Sequence, residues 1–400
     1  VFVALQLIAP STFYWSRLAL FDFYQATAPR LEHANPAVIV AVDEASLEEI
    51  GQWPWPRRVM ADLVTKILAH DPAAVGIDMI LPEPDRQSPE EWLRYAGDMP
   101  EALSKAIGAL PSHDAVFGRA IAAGPVMLGI GGLRLPVGKA DAGPLAPFRL
   151  IEPGGAPAPP PTLPRFNAAL RSIAVLDDSA AGHGMLSVDA DPDGVFRRIP
   201  LVSMLTGRPA PSMTVEMLRL AANAPWIDLY VERGAVQGVG VGPLAIPTQA
   251  DGSVWVHFSP HDERRYVSAA DVLLDRAKPG TFESKIVLVG VTGLGTTDVR
   301  LTPAGYMPGT EITAQLLENV FDGHVIRRPE WTRIAEPALT FVLGVLLIVV
   351  LPLMRPRWQV LPVLGVLVAL AAIGFAFWQS LLLVDVATPA IGEALVCVSF

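Results

Sequence analysis

Across 400 residues the chain has a single cysteine, Cys397. No intrachain disulfide can form, and no zinc site can be built from several thiolates. Charge is scarce too: 18% of the residues are Asp, Glu, Lys or Arg, where an ordinary soluble domain carries about a quarter. The charge present leans acidic, with a formal net value of -10. That balance argues against a nucleic-acid partner, which favours a basic face. Catalytic signatures are missing as well: there is no G-x-S-x-G, no Walker loop, no His-Glu metal motif and no kinase catalytic loop. No cofactor and no metal is expected.

What the chain has in excess is apolar sequence, 51% of all residues, concentrated at its two ends. Residues 337–354 and 358–378 carry no charge and are about long enough to cross a bilayer (~20 residues). Residues 381–400 form a third, weaker stretch containing Asp385 and Glu393. Trp358 and Trp378 bracket the middle one, as interfacial anchors do. The chain opens on "VFVALQLIAP" without Met, so residues 1–19 read as the end of a truncated N-terminal membrane helix with its juxtamembrane segment. Arg355 and Arg357 place their loop in the cytoplasm by the positive-inside rule, which puts residues ~25–333 outside. Arg327, Arg328 and Arg333 pull the other way, but large domains translocate with little regard to charge.

Between the ends, "AVIVAVD" (37–43) and "AAVGIDMIL" (73–81) read as buried strands carrying acids. "RRVMADLVTKILAH" (57–70) has apolar residues at helical spacing. "HDAVFGRAIAAG" followed by "PVMLGI" repeats helix then strand. This alternation predicts a mostly parallel sheet with helices on both faces. "PGGAPAPPPTLP" (153–164) is a Pro-rich loop. "GMLSVDADPDGVFRRIPLV" reads as a β-hairpin turning at "DPDG", "PSMTVEMLRLAA" as a capped helix, and "EITAQLLENVFDG" as a helix ending at Gly323.

Several stretches in order carry a resemblance: "VDEASLEEIGQWPWPR", "GIDMILPEPD", "DADPDGVFRRIPLV", "KIVLVGVTGLGTTDVRLTPAGYMPGTEITAQLLENVFDG", then "RRPEW" before apolar spans. Together they resemble the type-2 CHASE domain, over residues 20–335. The resemblance implies an α/β extracytoplasmic sensor domain, a mostly parallel sheet with flanking helices, attached to α-helical transmembrane segments. It further implies a bacterial inner-membrane receptor, an unknown extracytoplasmic ligand, a homodimer and a cytoplasmic output enzyme. A class III adenylate/guanylate cyclase is the first expectation for that enzyme, and a histidine or Ser/Thr kinase the alternative. The rival reading is a membrane-tethered hydrolase using Asp43 and Asp78.

Candidate ligand or signalling residues follow. Pro56 suits the start of the helix at Arg57. Pro54 and Pro56 hold Trp53 and Trp55 extended, and the two rings are expected on opposite sides, one of them packed over the sheet. Either they plug one end of the fold, or an exposed Trp and Arg57 form a ligand or partner surface. Asp43 and Asp78 are expected to end neighbouring strands; with Glu44, Glu83 and Asp85 nearby in sequence they make either turns and caps or an acidic pocket. "VGVTGLGTTD" (289–298), ending in Asp298, is a sharp turn or an anion-binding loop. Asp189, Asp191 and Asp193 match the first half of a calcium loop, but its twelfth position is Pro200, so a plain turn competes with calcium. Glu393 is expected at a helix–helix contact, because a carboxylate facing lipid is costly.

Overall fold

Six consecutive apolar residues, "AVIVAV", are all buried and form strand β1, Ala37–Val42. A run buried on both faces suits the interior of a parallel sheet covered on two sides. Similar short runs give β2 (Ala74–Ile77), β3 (Val126–Leu133), β4 (Ala168–Leu170), β5 (Gly182–Met185), β6 (Tyr266–Ser268) and β7 (Ile286–Val291). The computed structural model describes residues 2–31, 34–135, 142–153, 160–293 and 298–398. The chain divides into two compact units: Glu32–Val256 with His261–Gly323, and Val1–Leu31 with His257–Pro260 and His324–Phe400.

In the first unit the seven strands form one sheet among the described residues, in the order β6-β1-β7-β2-β3-β4, with β5 also on β3. Every pairing is parallel except β3 with β4. β1 and β2 are therefore not neighbours, contrary to the sequence expectation: β7 lies between them, Val289 opposite both Val40 and Ile77.

Helices cover both faces. In α1 (Arg57–Leu68), Met60, Leu63, Val64 and Ile67 recur at helical spacing and are wholly buried. They join Phe117 and Ile121 of α2 (His113–Ile121) and the valines of β1, β2 and β7 in one core. Fully burying each such side chain contributes about 1.5–3 kcal/mol. On the opposite face lie α3 (Met213–Ala221) and α4 (Gly309–Phe321). They sit so close that a Cβ at Gly76 would collide with Met217, and one at Gly290 with Thr310. Ser212 caps α3, accepting a bond from the Val215 N–H at 3.3 Å. Gly323, at φ +69°, follows the end of α4 in the left-handed conformation such a stop uses.

The unit also holds smaller antiparallel and mixed sheets, so the architecture is mixed α/β. One expectation fails here. The "DPDG" turn closes, with Gly194 N–H donating to Asp191 O at 2.8 Å. Its arms do not pair with each other: β5 joins β3, while Arg198–Pro200 pairs with Ser253–Trp255. Each apolar arm is buried against a partner distant in sequence, and the local turn signal could not reveal that. Residues 154–159 of the Pro-rich loop and 294–297 of the Gly-rich loop lie outside the described residues.

The second unit contains the apolar helices α5 (Thr332–Val350), α6 (Val360–Gln379) and α7 (Ala387–Val398). With their flanking turns, the apolar helical stretches Thr332–Leu353 and Pro356–Gln379 have 22 and 24 residues, enough to cross a bilayer. The third apolar stretch is helical only over the 12 residues of α7. At about 1.5 Å per residue that falls short of a ~30 Å hydrocarbon layer. Before it the chain is extended, and Arg327 bonds on both sides: its N–H to Leu381 O and its O to Leu383 N–H, each at 2.8 Å.

Candidate functional site

Where parallel strands end, side chains leave the sheet and the crossovers diverge, opening a crevice at the carboxyl edge. Here the carboxyl ends of β2, β3, β5 and β7 meet the first turns of α3 and α4 around a cavity of about 610 Å³. Such a volume suits a small ligand.

Asp78 is the first residue beyond β2. Its N–H donates to Val289 O at 2.9 Å, which fixes the backbone, and the side chain lines the cavity. The carboxyl makes no hydrogen bond or ion pair among the described residues. Burial raises its pKa to about 6, repulsion from Asp298 adds to this, and Arg300 opposes it. Burial of an unpaired acid acts in this direction because the charged form loses its water.

The opposite wall comes from a two-stranded ribbon, Val299–Thr302 with Gly305–Pro308. Asp298 and Arg300 are two positions apart at its edge and pair with each other. The Arg300 guanidinium also lies 4.8 Å from the Phe196 ring centroid, and the Phe196 N–H donates to Leu301 O at 2.7 Å, so the ribbon is pinned in place. At the rim Arg134 pairs with Asp189. Thr310, in the first turn of α4, is 4% exposed, and its hydroxyl has no partner among the described residues. Met185, Leu186, Ile199 and Ile312 supply an apolar wall. The described lining includes no His, Cys or Lys. The arrangement of charged, hydroxyl and apolar groups is suited to binding a small molecule.

Of the residues singled out from sequence, Asp78 and Asp298 come together here. Asp43 does not. Its Oδ1 accepts from the Ser46 N–H at 2.9 Å, the Ser46 hydroxyl at 2.6 Å and the Ser268 hydroxyl at 2.8 Å, capping helix Glu44–Glu49. Asp85 is also committed elsewhere, to the Arg57 N–H at 2.8 Å and His113 Nδ1 at 3.1 Å. The acidic pocket expected from Asp43 and Asp78 with Glu44, Glu83 and Asp85 is thus not formed: of the five only Asp78 lines the cavity, and capping and turn bonds claim Asp43 and Asp85.

Trp53 and Trp55 do not point to opposite sides. Side chains two positions apart on an extended chain share a face, and the rings stack edge-to-face with centroids 5.7 Å apart. Trp55 is 3% exposed and its indole N–H donates to Gly51 O at 2.8 Å. Arg57 is buried beside Asp114, Nε to Oδ1 at 3.7 Å. Pro56 is the N-cap of α1 and not its first residue. The segment packs as a plug on the core; Trp55 and Arg57 are not on the surface.

Asp191 and Asp193 are neutralised by arginine: Arg197 reaches them at 3.2 and 2.7 Å and Arg198 reaches Asp191 at 2.7 Å. Asp189 turns away to Arg134. Glu393, in the second unit, is wholly buried next to Gly344 of α5.

The CHASE2 domain family matches residues 1–353 of this sequence. The chain belongs to the CHASE2 family. CHASE2 is an extracytoplasmic sensor domain of signalling receptors, and a cavity at the carboxyl edge of its sheet is where such a domain can take a ligand. No curated protein and no solved structure matches the chain significantly. In this CHASE2 chain the reading from sequence missed Arg134, Arg300 and Thr310. A signal for Arg300 was present: in "DVR" it stands two positions after Asp298, on the same side of an extended chain.

Proposed function

We propose that residues 20–335 sense a stimulus outside the cytoplasm, and that the apolar helices relay it to a cytoplasmic output enzyme of the class III adenylate/guanylate cyclase type. The observation that carries this is the CHASE2 match running from the α/β unit into the first apolar helical stretch, so that sensor and anchor are one chain. The cavity supports it. Ligand binding there bears on Asp78 beyond β2 and Thr310 in the first turn of α4, and a ligand that prefers one arrangement shifts the population toward it. The orientation rests on Arg355 and Arg357, which favour the cytoplasmic side.

The test is a pair of reporter fusions and one chimera. A reporter active only in the cytoplasm should work when fused after Arg357, and one active only outside should work when fused after Val256. Residues 1–400 joined to a class III cyclase catalytic domain should show cyclase output that changes when the cavity is altered. The reverse topology sinks the sensor reading. A chimera that is active but indifferent to the cavity sinks the relay, and coupling to a kinase domain alone would replace the cyclase.

A further inference from the structure

We propose that the cavity at the carboxyl edge of the sheet binds a small organic amine, with the Asp78 carboxylate as counter-ion to its ammonium group and Met185, Leu186, Ile199 and Ile312 around its hydrocarbon body. This rests on the sensor reading and names its ligand class.

The argument is one of charge and volume. Five described charged groups line the cavity: Asp78, Arg134, Asp189, Asp298 and Arg300. Four of them pair off, Arg134 with Asp189 and Arg300 with Asp298. Asp78 is left over, with no hydrogen bond or ion pair among the described residues. It is desolvated by burial and repelled by Asp298, which Arg300 offsets in part. A cation relieves both penalties at once, whereas an anionic ligand adds to them.

The same wall disfavours a bare metal ion. A divalent cation needs several oxygen ligands, and no described group of three or more His, Cys, Asp or Glu side chains is placed to hold one. A volume of about 610 Å³ is far more than one ion fills, and its apolar wall calls for hydrocarbon. The Thr310 hydroxyl, buried and with no partner among the described residues, provides one further polar contact for such a ligand.

The experiment uses the full chain in lipid nanodiscs at pH 7.5 and three isosteric probes: 4-phenylbutylamine, 4-phenylbutanol and 4-phenylbutyrate. Calorimetry should show saturable binding of the amine, with the alcohol and the acid weaker by about tenfold or more. Asp78→Asn should lose this preference, and Asp78→Glu, which keeps the charge, should keep it. Asp43→Asn, outside the cavity, should bind like the parent. Amine affinity should fall between pH 7.5 and 5 as Asp78 takes up a proton. Equal binding of the alcohol, tighter binding of the acid, stabilisation by calcium alone, or no amine binding at millimolar concentration each overturns the proposal. So does an Asp78→Asn variant that melts cooperatively and binds the amine unchanged. Correct topology with no amine binding removes the ligand class alone; amine binding with inverted topology removes the sensor reading and leaves the site.

Discussion

Arg265 and Glu318 meet in the dry interior of the α/β unit, Nε donating to Oε1 at 2.7 Å and Nη2 to Oε2 at 3.1 Å. The two side chains are 1% and 0% exposed. Arg265 also reaches Glu311 Oε1 at 3.3 Å, and Glu311 Oε2 accepts from the Tyr266 hydroxyl at 2.7 Å. This network ties β6 and the turn before it to α4, the helix whose first turn lines the cavity. Removing Glu318 takes the two-bond partner from a buried guanidinium and leaves it the longer contact with Glu311, so Glu318→Ala should destabilise the unit by about 3–5 kcal/mol. The triple variant Arg265→Met, Glu311→Gln, Glu318→Leu should lose much less, because it removes all three buried charges of the network together. Thermal melting of the parent, single and triple variants checks this, and equal losses in the single and triple variants would refute it.

Asp78 gives stability a pH dependence of definite sign. Its folded pKa is raised to about 6 from 3.8. The native state therefore takes up a proton before the unfolded state does as pH falls. The contribution of Asp78 is unfavourable while both states are ionised, and this penalty is relieved as pH drops from about 6 to about 4. The shift corresponds to roughly 1–3 kcal/mol. Asp78→Asn should raise the melting temperature at pH 8 and flatten the profile across that window. A variant less stable than the parent at pH 8 would show that the carboxylate has a favourable partner there.

Parts of this arrangement were legible in the chain. The runs "AVIVAV" and "IVLVGV" announce buried strands because nothing polar interrupts them, and Asp78 is visible as an acid at a strand end. That β7 lies between β1 and β2 was not legible. Parallel neighbours are joined by long crossovers, so sequence order carries no local mark of spatial order. The cavity's positive side was hidden for a related reason: Arg134 and Arg300 come from segments far apart in the chain, and only the closed sheet brings them to the cavity that Asp78 lines. The capping role of Asp43 was available as an alternative from the Asp preceding a helical run, and it is the one the backbone adopts. Trp53 and Trp55 stand two positions apart, a spacing that puts both rings on one face of an extended chain, so their contact was legible as well.

The two tryptophans should differ in weight. Trp55 belongs to the core and its N–H is bonded, so Trp55→Ala should cost about 3–5 kcal/mol and loosen the start of α1. Trp53 is partly buried and packs on the Trp55 ring, so Trp53→Ala should cost about 1–2 kcal/mol. Denaturation midpoints of the two variants check the order. Equal costs, or a loss of amine binding in Trp53→Ala without loss of stability, would make Trp53 a contact residue.

Glu393 supplies the last expectation, within the second unit. It lies on α7, wholly buried, and neither carboxyl oxygen has a partner among the described residues. A Cβ placed on Gly344 of α5 would stand 3.6 Å from Glu393 Oε2 and 4.0 Å from Val396. A glycine here lets the two helices approach closely, as small residues do between membrane helices. The carboxyl thus faces a helix of its own chain and is kept from lipid, where it would be costly. Two consequences can be measured. Gly344→Cys with Glu393→Cys, in a Cys397→Ser background, should form an intramolecular crosslink on mild oxidation. Gly344→Leu should reduce folded yield, whereas Glu393→Gln, which keeps the shape and removes the charge, should not. Crosslinks found only between two copies of the chain would move Glu393 to a contact between protomers. Labelling of the Glu393→Cys variant by a water-soluble thiol reagent, without any crosslink, would remove this position from a helix contact altogether.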